Sequence, residues 1–301
     1  FRRVLFRSQT QTQDSALHRP VHKIRFVTAA ALFDGHDASI NIMRRILQAQ
    51  GAEVIHLGHN RSVDEVVTAA LAEDVQGIAV SAYQGGHVEY FRYMLDLLRA
   101  RGGEHIRVYG GGGGVIVPAE IAALHEYGVA HIFSPEDGQR LGLAGMVNRM
   151  IADCDIDLGA QAPTTLDGLR AGEHRALARC ITALEAGALA PALLETIRRE
   201  AAAKTAPVLG ITGTGGAGKS SLTDELIRRF RLDRADTLKI AVIAADPARR
   251  RSGGALLGDR IRMNAINHPH IYVRSLATRA GGAEVPEHLD DIVAACKIGR
   301  A

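Results

Sequence analysis

The sequence predicts two α/β units in one chain: a doubly wound parallel sheet, followed by part of a second α/β domain built around a phosphate-binding loop. Three observations carry this expectation. Short apolar runs and amphipathic stretches alternate between residues 23 and 154. A polar stretch rich in Asp, Gly, Pro and Thr interrupts that alternation at 153–172. Beyond it, GTGGAGKS at 213–220 follows one apolar run and opens an amphipathic one.

The elements follow in order. KIRFVTAA (23–30) reads as a buried strand. ASINIMRRILQAQG (38–51) repeats apolar residues at Ile40, Met43, Ile46 and Leu47, a helical spacing that stops at Gly51. AEVIHLG (52–58) is a strand, and SVDEVVTAALAED (62–74) a helix with Ser62 as N-cap and Glu65 in capping-box position. GIAVSA (77–82) and IRVYG (106–110) are strands around the helix at 87–102. Pro118 starts a helix over 118–128, VAHIFS (129–134) is a fifth strand, and the last helix covers 138–154. Five such strand–helix units match a flavodoxin-like sheet. After the linker, helices are expected at 173–187 and 191–204, a strand at 207–212, a helix from 220 and a strand ending at Asp246.

Composition fits this class and excludes others. Of 301 residues 47% are hydrophobic but only 4% aromatic, with no Trp, so packing by Ala, Val, Ile and Leu is expected. A formal charge of +3 with basic residues in short runs implies no nucleic-acid-binding face. No apolar run is long enough to suggest a membrane span. Cys154, Cys180 and Cys296 are far apart, as expected of reduced thiols in a cytoplasmic protein. FRRVLFRS (1–8) and KIGRA (297–301) back-translate into DNA resembling the two ends of a sequencing adapter, so both are expected to be foreign. The expected division is therefore an adapter-like and disordered lead at 1–21, a first domain at 22–152, a linker at 153–172, the N-terminal part of a second domain at 173–296, and an adapter-like end at 297–301. On this reading the natural chain continues past Cys296.

GTGGAGKS satisfies G-x-x-x-x-G-K-[ST] in the strand-to-helix context the motif requires. Backbone N–H groups from Gly213, Gly215, Gly216, Ala217, Gly218, Lys219, Ser220 and Ser221 would surround phosphate oxygens at a helix N-terminus. Lys219 would reach the β/γ-phosphates, the Ser220 hydroxyl would sit on Mg²⁺, and Asp246 could hold the same ion through water. Downstream lie Asp246-Pro247, Ser252-Gly253-Gly254, Leu257-Gly258-Asp259-Arg260 and Arg262-Met263. This string resembles the G-protein chaperones of acyl-CoA mutases, which implies GTP binding and hydrolysis. The guanine-reading loop of that family has no counterpart in these residues, so base preference follows from the resemblance alone.

A histidine between two aspartates follows the first strand, in Asp34-Gly35-His36-Asp37. By itself a loop histidine reads as solvated. The third strand ends in Ser81, however, and the fourth runs into Gly110, Gly111, Gly112, Gly113 and Gly114 inside a domain. Those glycines are expected to clear room for a long ligand tail rather than to form a linker. A phospho-receiver would need Asp where Ser81 stands. His56, His59, His87 and His105 lack zinc-ligand spacing and are read as surface or tail-pocket residues.

These segments resemble the cobalamin-binding domains of the base-off, histidine-on class, with Ser39 at the last position of the usual D-x-H-x-x-G pattern. The resemblance implies His36 as the lower axial ligand of cobalt and Asp34 as the carboxylate behind it. It also implies that Ser81 and the five glycines line the tail pocket. FDGHDASINIMRRIL (33–47) and the order of the two domains resemble the fused isobutyryl-CoA mutases. That family implies adenosylcobalamin, GTP and Mg²⁺, interconversion of isobutyryl-CoA and n-butyryl-CoA, and a G domain that acts as chaperone for cofactor loading. It further implies an acyl-CoA-binding domain beyond this chain, a homodimer, and an adenosyltransferase that delivers the cofactor. A methylmalonyl-CoA-type mutase fused to its chaperone, or a non-catalytic cobalamin module joined to a GTPase, are the alternatives.

Overall fold

The computed structural model describes residues 17–35, 38–249, 251–278 and 285–299. Five parallel strands form the first sheet: β1 (Arg25–Ala31), β2 (Glu53–Arg61), β3 (Gly77–Ser81), β4 (Arg107–Gly111) and β5 (His131–Phe133). Their spatial order is β5-β4-β3-β1-β2, with β1 between β3 and β2 and all seven of its residues buried. Five helices cover the sheet: α1 (Ala38–Ala49), α2 (Val63–Ala72), α3 (His87–Ala100), α4 (Pro118–Tyr127) and α5 (Pro135–Asp153).

Side-chain alternation sorts these strands into two cores. Val27, Ala29, Ile78 and Val80 pack with Val66, Phe91 and Leu124 of α2, α3 and α4. Phe26, Ala30, Ala79 and Tyr109 pack with Ile40, Leu47, Val147 and Ile151 of α1 and α5. The chain leaves β1 for one face and β3 for the other, so a crevice opens at the carboxyl ends of these neighbouring strands. Local signals behave as expected at the helix ends. The Ser62–Glu65 capping box closes at 2.9 and 3.3 Å, and Pro118 opens α4. The last helix starts earlier than its pattern predicts, because Ser134 caps it, and non-helical backbone at Gly142 breaks it.

The second region holds α6 (Asp167–Ala171), α7 (His174–Glu185), α8 (Pro191–Ala202), α9 (Lys219–Asp233) and α10 (Leu289–Ile298). Its strands are β6 (Ile240–Pro247), β7 (Ala255–Leu257) and β8 (Ile271–Thr278). Ile181, Leu184 and Ile197 close a core on Tyr272, Leu276 and Ile292.

Several expectations need correction here. The predicted strand at 207–212 does not form, and Val208 and Leu209 are 62% and 68% exposed. Among the described residues β6 pairs with β8 alone, and this segment adds no strand to that pair. β7 instead extends the first sheet, pairing in parallel with Glu53–Ile55 of β2. The stretch read as a linker is packed, with Leu158, Leu166 and Leu169 buried. Residues 17–21 of the lead read as disordered are held against the body, where Asp155 accepts from Val21 N and pairs with His18. Residues 1–16 and 300–301, with most of the adapter-like ends, lie outside the described residues.

Candidate functional site

At the crevice, Asp34 is buried and its Oδ2 accepts the Tyr83 amide at 2.6 Å, tying the loop after β1 to the loop after β3. His36, the expected cobalt ligand, and Asp37 lie outside the described residues. Ser81 closes β3 in register with Ala30 on one side and Gly111 on the other. Alternation places it on the face covered by α1 and α5, and there its Oγ is buried without a hydrogen-bond partner. Ser39, in the first turn of α1, has a second hydroxyl in the same condition. Each such group costs about 1–3 kcal/mol until something bonds to it.

The five glycines divide by role. A side chain at Gly111 would meet only the Phe133 carbonyl at 3.6 Å, and one at Gly114 would meet nothing. Gly110 does not line a slot: a Cβ there would fall 2.4 Å from Phe91 and 2.6 Å from Ile132, so its small size serves the core. Gly112 lets its loop approach the Ala82 carbonyl, which a Cβ would meet at 2.0 Å. Gly113 has a left-handed backbone (φ 58°) beside the Tyr83 ring. The Ser81 hydroxyl, next to the bare backbone of Gly111, leaves a hydrogen-bonding position for a polar ligand group at the sheet edge.

Of the four other histidines read as surface or tail-pocket residues, His59 is exposed and the remaining three are at least partly buried. His56 is buried and bonded to Thr28 at 2.9 Å, and His87 is buried between Gln84 and Glu120, so neither is a surface residue. Burial beside Arg179 and Arg175 lowers His105 to about 4. Among the described residues no cluster of three or more His, Cys, Asp and Glu could hold a metal ion.

The second site is the phosphate loop. Gly216 and Gly218 take left-handed backbone (φ 81° and 84°), and Gly218 caps α9, so the loop turns into the helix as the motif requires. Lys219 Nζ folds back on the loop, donating to the Gly213 and Thr214 carbonyls at 2.8 and 3.0 Å. Ser220 Oγ donates to Asp259 Oδ1 at 2.8 Å. Asp246, at the end of β6, is raised to about 6 by burial and by the charge of Asp259, against the Gly258 amide, Arg262 and Lys219. A hydroxyl and two mutually repelling carboxylates beside a phosphate loop are a donor set that fits a hard divalent cation. Asp259 stands within Leu257-Gly258-Asp259-Arg260, a local pattern that carries no sign of its partner; only the folded chain brings it to Ser220.

Comparison with known proteins adds two family matches. Residues 24–141 match the B12 binding domain, and residues 177–297 match the methylmalonyl Co-A mutase-associated GTPase MeaB. The fused isobutyryl-CoA mutase of Cupriavidus metallidurans is 72% identical over 281 residues, which cover 93% of this chain and 26% of that protein. The fused isobutyryl-CoA mutase of Nocardia farcinica is 63% identical, covering 94% of this chain and 26% of that one. The 2-hydroxyisobutanoyl-CoA mutase small subunit of Aquincola tertiaricarbonis is 34% identical, covering 36% of this chain and 79% of that subunit. The chain thus spans about a quarter of the length of the fused relatives it matches.

Proposed function

The chain belongs to the fused isobutyryl-CoA mutase family, and from that membership we propose that it is the cofactor-binding and GTPase portion of an adenosylcobalamin-dependent acyl-CoA mutase. The reaction proposed is the interconversion of isobutyryl-CoA and n-butyryl-CoA, with the G region acting as built-in chaperone for cofactor loading. The radical chemistry of such a rearrangement comes from bound adenosylcobalamin. The chain's own residues bind and orient. His36 is proposed as the residue that would hold the cobalt, on a loop that Asp34 fastens to Tyr83. Ser81, with Gly111 and Gly114, would receive the nucleotide tail.

At the second site Lys219 would exchange its two carbonyl partners for phosphate oxygens. Ser220 and Asp246 would hold Mg²⁺. We also propose a cytoplasmic location, in keeping with three buried cysteines that form no disulfide. No helix among the described residues is long and apolar enough to cross a membrane. A homodimer and delivery of the cofactor by an adenosyltransferase complete the proposal.

The observation that carries this reading is the partnerless Ser81 hydroxyl buried at the switch point of the sheet. Ser81→Ala should weaken cobalamin binding by about three- to tenfold, the effect of one hydrogen bond. Binding of cobinamide, a corrinoid without the nucleotide tail, should not change, and the melting temperature of the free protein should rise, because the variant removes an unmet buried hydroxyl. Equal losses for both corrinoids would remove Ser81 from the tail pocket. His36→Ala should abolish the cobalt–imidazole spectrum, and Lys219→Ala should abolish nucleotide binding while cobalamin binding survives. Loss of both ligands in one variant would argue against two separable sites.

A further inference from the structure

We infer that the first domain completes the nucleotide site of the second, with Glu73 as a positioning residue that acts through Arg260 on Asp259. The inference rests on the nucleotide reading above and adds to it a residue from outside the GTPase region. One short turn joins the two regions. Residues 260–262 form a single 3-10 turn, with Arg262 N donating to Asp259 O at 3.0 Å. Its successive side chains go to different places. Asp259 accepts from Ser220 in the first turn of the phosphate-loop helix. Arg260 donates to Glu73 Oε1 at 2.7 Å and to the Val273 carbonyl at 2.5 Å. Ile261 lies against Gly58 of β2, where a Cβ on that glycine would fall 2.8 Å from Ile261 Cδ1.

The segment leading into the turn is no freer. β7, two residues before Asp259, is an edge strand of the first domain's sheet. Glu73 itself is immobile by construction. It is fully buried, accepts Arg25 Nη2 at 2.7 Å, and takes the Ser275 amide and hydroxyl at 2.9 and 3.0 Å. The Arg260 side chain is 8% exposed, so water competes little for the ion pair. The first domain therefore holds the turn through a strand, a packed isoleucine and a buried carboxylate. The position of Asp259 opposite Ser220 follows from that grip. A loop anchored only by its own domain would have to order this carboxylate on each binding event, at an entropic cost.

The test compares binding of a non-hydrolysable GTP analogue in Mg²⁺ with binding in EDTA, on the full chain. Glu73→Gln touches no residue of the phosphate loop. Arg260→Met cuts the same link yet leaves Glu73 paired with Arg25 and Ser275, so the buried network keeps its other partners. Both variants should lose about tenfold of the affinity that Mg²⁺ adds, with binding in EDTA unchanged. The double variant should be no worse than either single one, as residues acting through one contact require. Unchanged Mg²⁺ enhancement in Arg260→Met would overturn the inference. So would equal weakening with and without Mg²⁺, which would mark a purely structural defect. A wild-type chain that bound no nucleotide in either buffer would instead overturn the nucleotide reading itself.

Discussion

Asp246 shows how one environment sets the chemistry of one residue. Burial and the nearby Asp259 charge raise it to about 6, well above an ordinary aspartate. A carboxyl raised on folding favours the folded state while protonated. That contribution is present below the ordinary carboxylate range and is lost as pH rises through about 6. Asp246→Asn should therefore raise the urea midpoint at pH 7 and leave it little changed at pH 4. Mg²⁺-dependent nucleotide binding should fall as pH drops below about 6, since the protonated acid no longer attracts the cation. A wild-type binding profile flat across that range would remove Asp246 from the cation site. Lys219 illustrates the complementary point, because its two carbonyl partners are ones that a phosphate can replace.

Among elements, the run after β4 is the most informative. Five consecutive glycines look alike in a sequence, yet each meets a different neighbour. Gly110→Ala should destabilise by about 1–3 kcal/mol, because its Cβ would overlap Phe91 and Ile132 in a packed core. Gly114→Ala should cost much less, since nothing lies within 4 Å. Equal changes in melting temperature for the two would contradict this division. The α2 cap and the Pro118 start needed no such correction, because capping involves groups only three residues apart. The failed strand at 207–212 is the opposite case, for a strand's stability lies in its neighbours.

The whole molecule is joined by a buried charge network. Arg25 donates to Glu53 at 2.9 Å, to Glu73 at 2.7 Å and to the Ser275 carbonyl at 2.8 Å. Arg274 reaches Glu185 at 2.8 Å, and Arg175 reaches Asp74 at 2.6 Å. Burying these ions is unfavourable in itself, so the network is better understood as a device for registering two regions than as a source of stability. Breaking it is another matter. Arg25→Met takes one buried ion-pair partner from Glu53 and from Glu73 and should cost about 3–5 kcal/mol in urea unfolding. An unshifted midpoint would show that water enters this interface freely.

The strand–helix alternation of the first domain, the Ser62 cap, the Pro118 start and the phosphate loop could all be read in advance, since each depends on residues near in sequence. The aspartate, serine and glycines of the sheet edge could be nominated for the same reason. Their roles could not. The neighbours of Gly110, the missing partner of Ser81, the pairing of β7 with β2 and the reach of Arg260 to Glu73 involve residues up to 202 positions apart. Local pattern specifies which elements form. Only the packed chain decides which distant groups are left to share a buried charge, an open face or an unmet hydrogen bond.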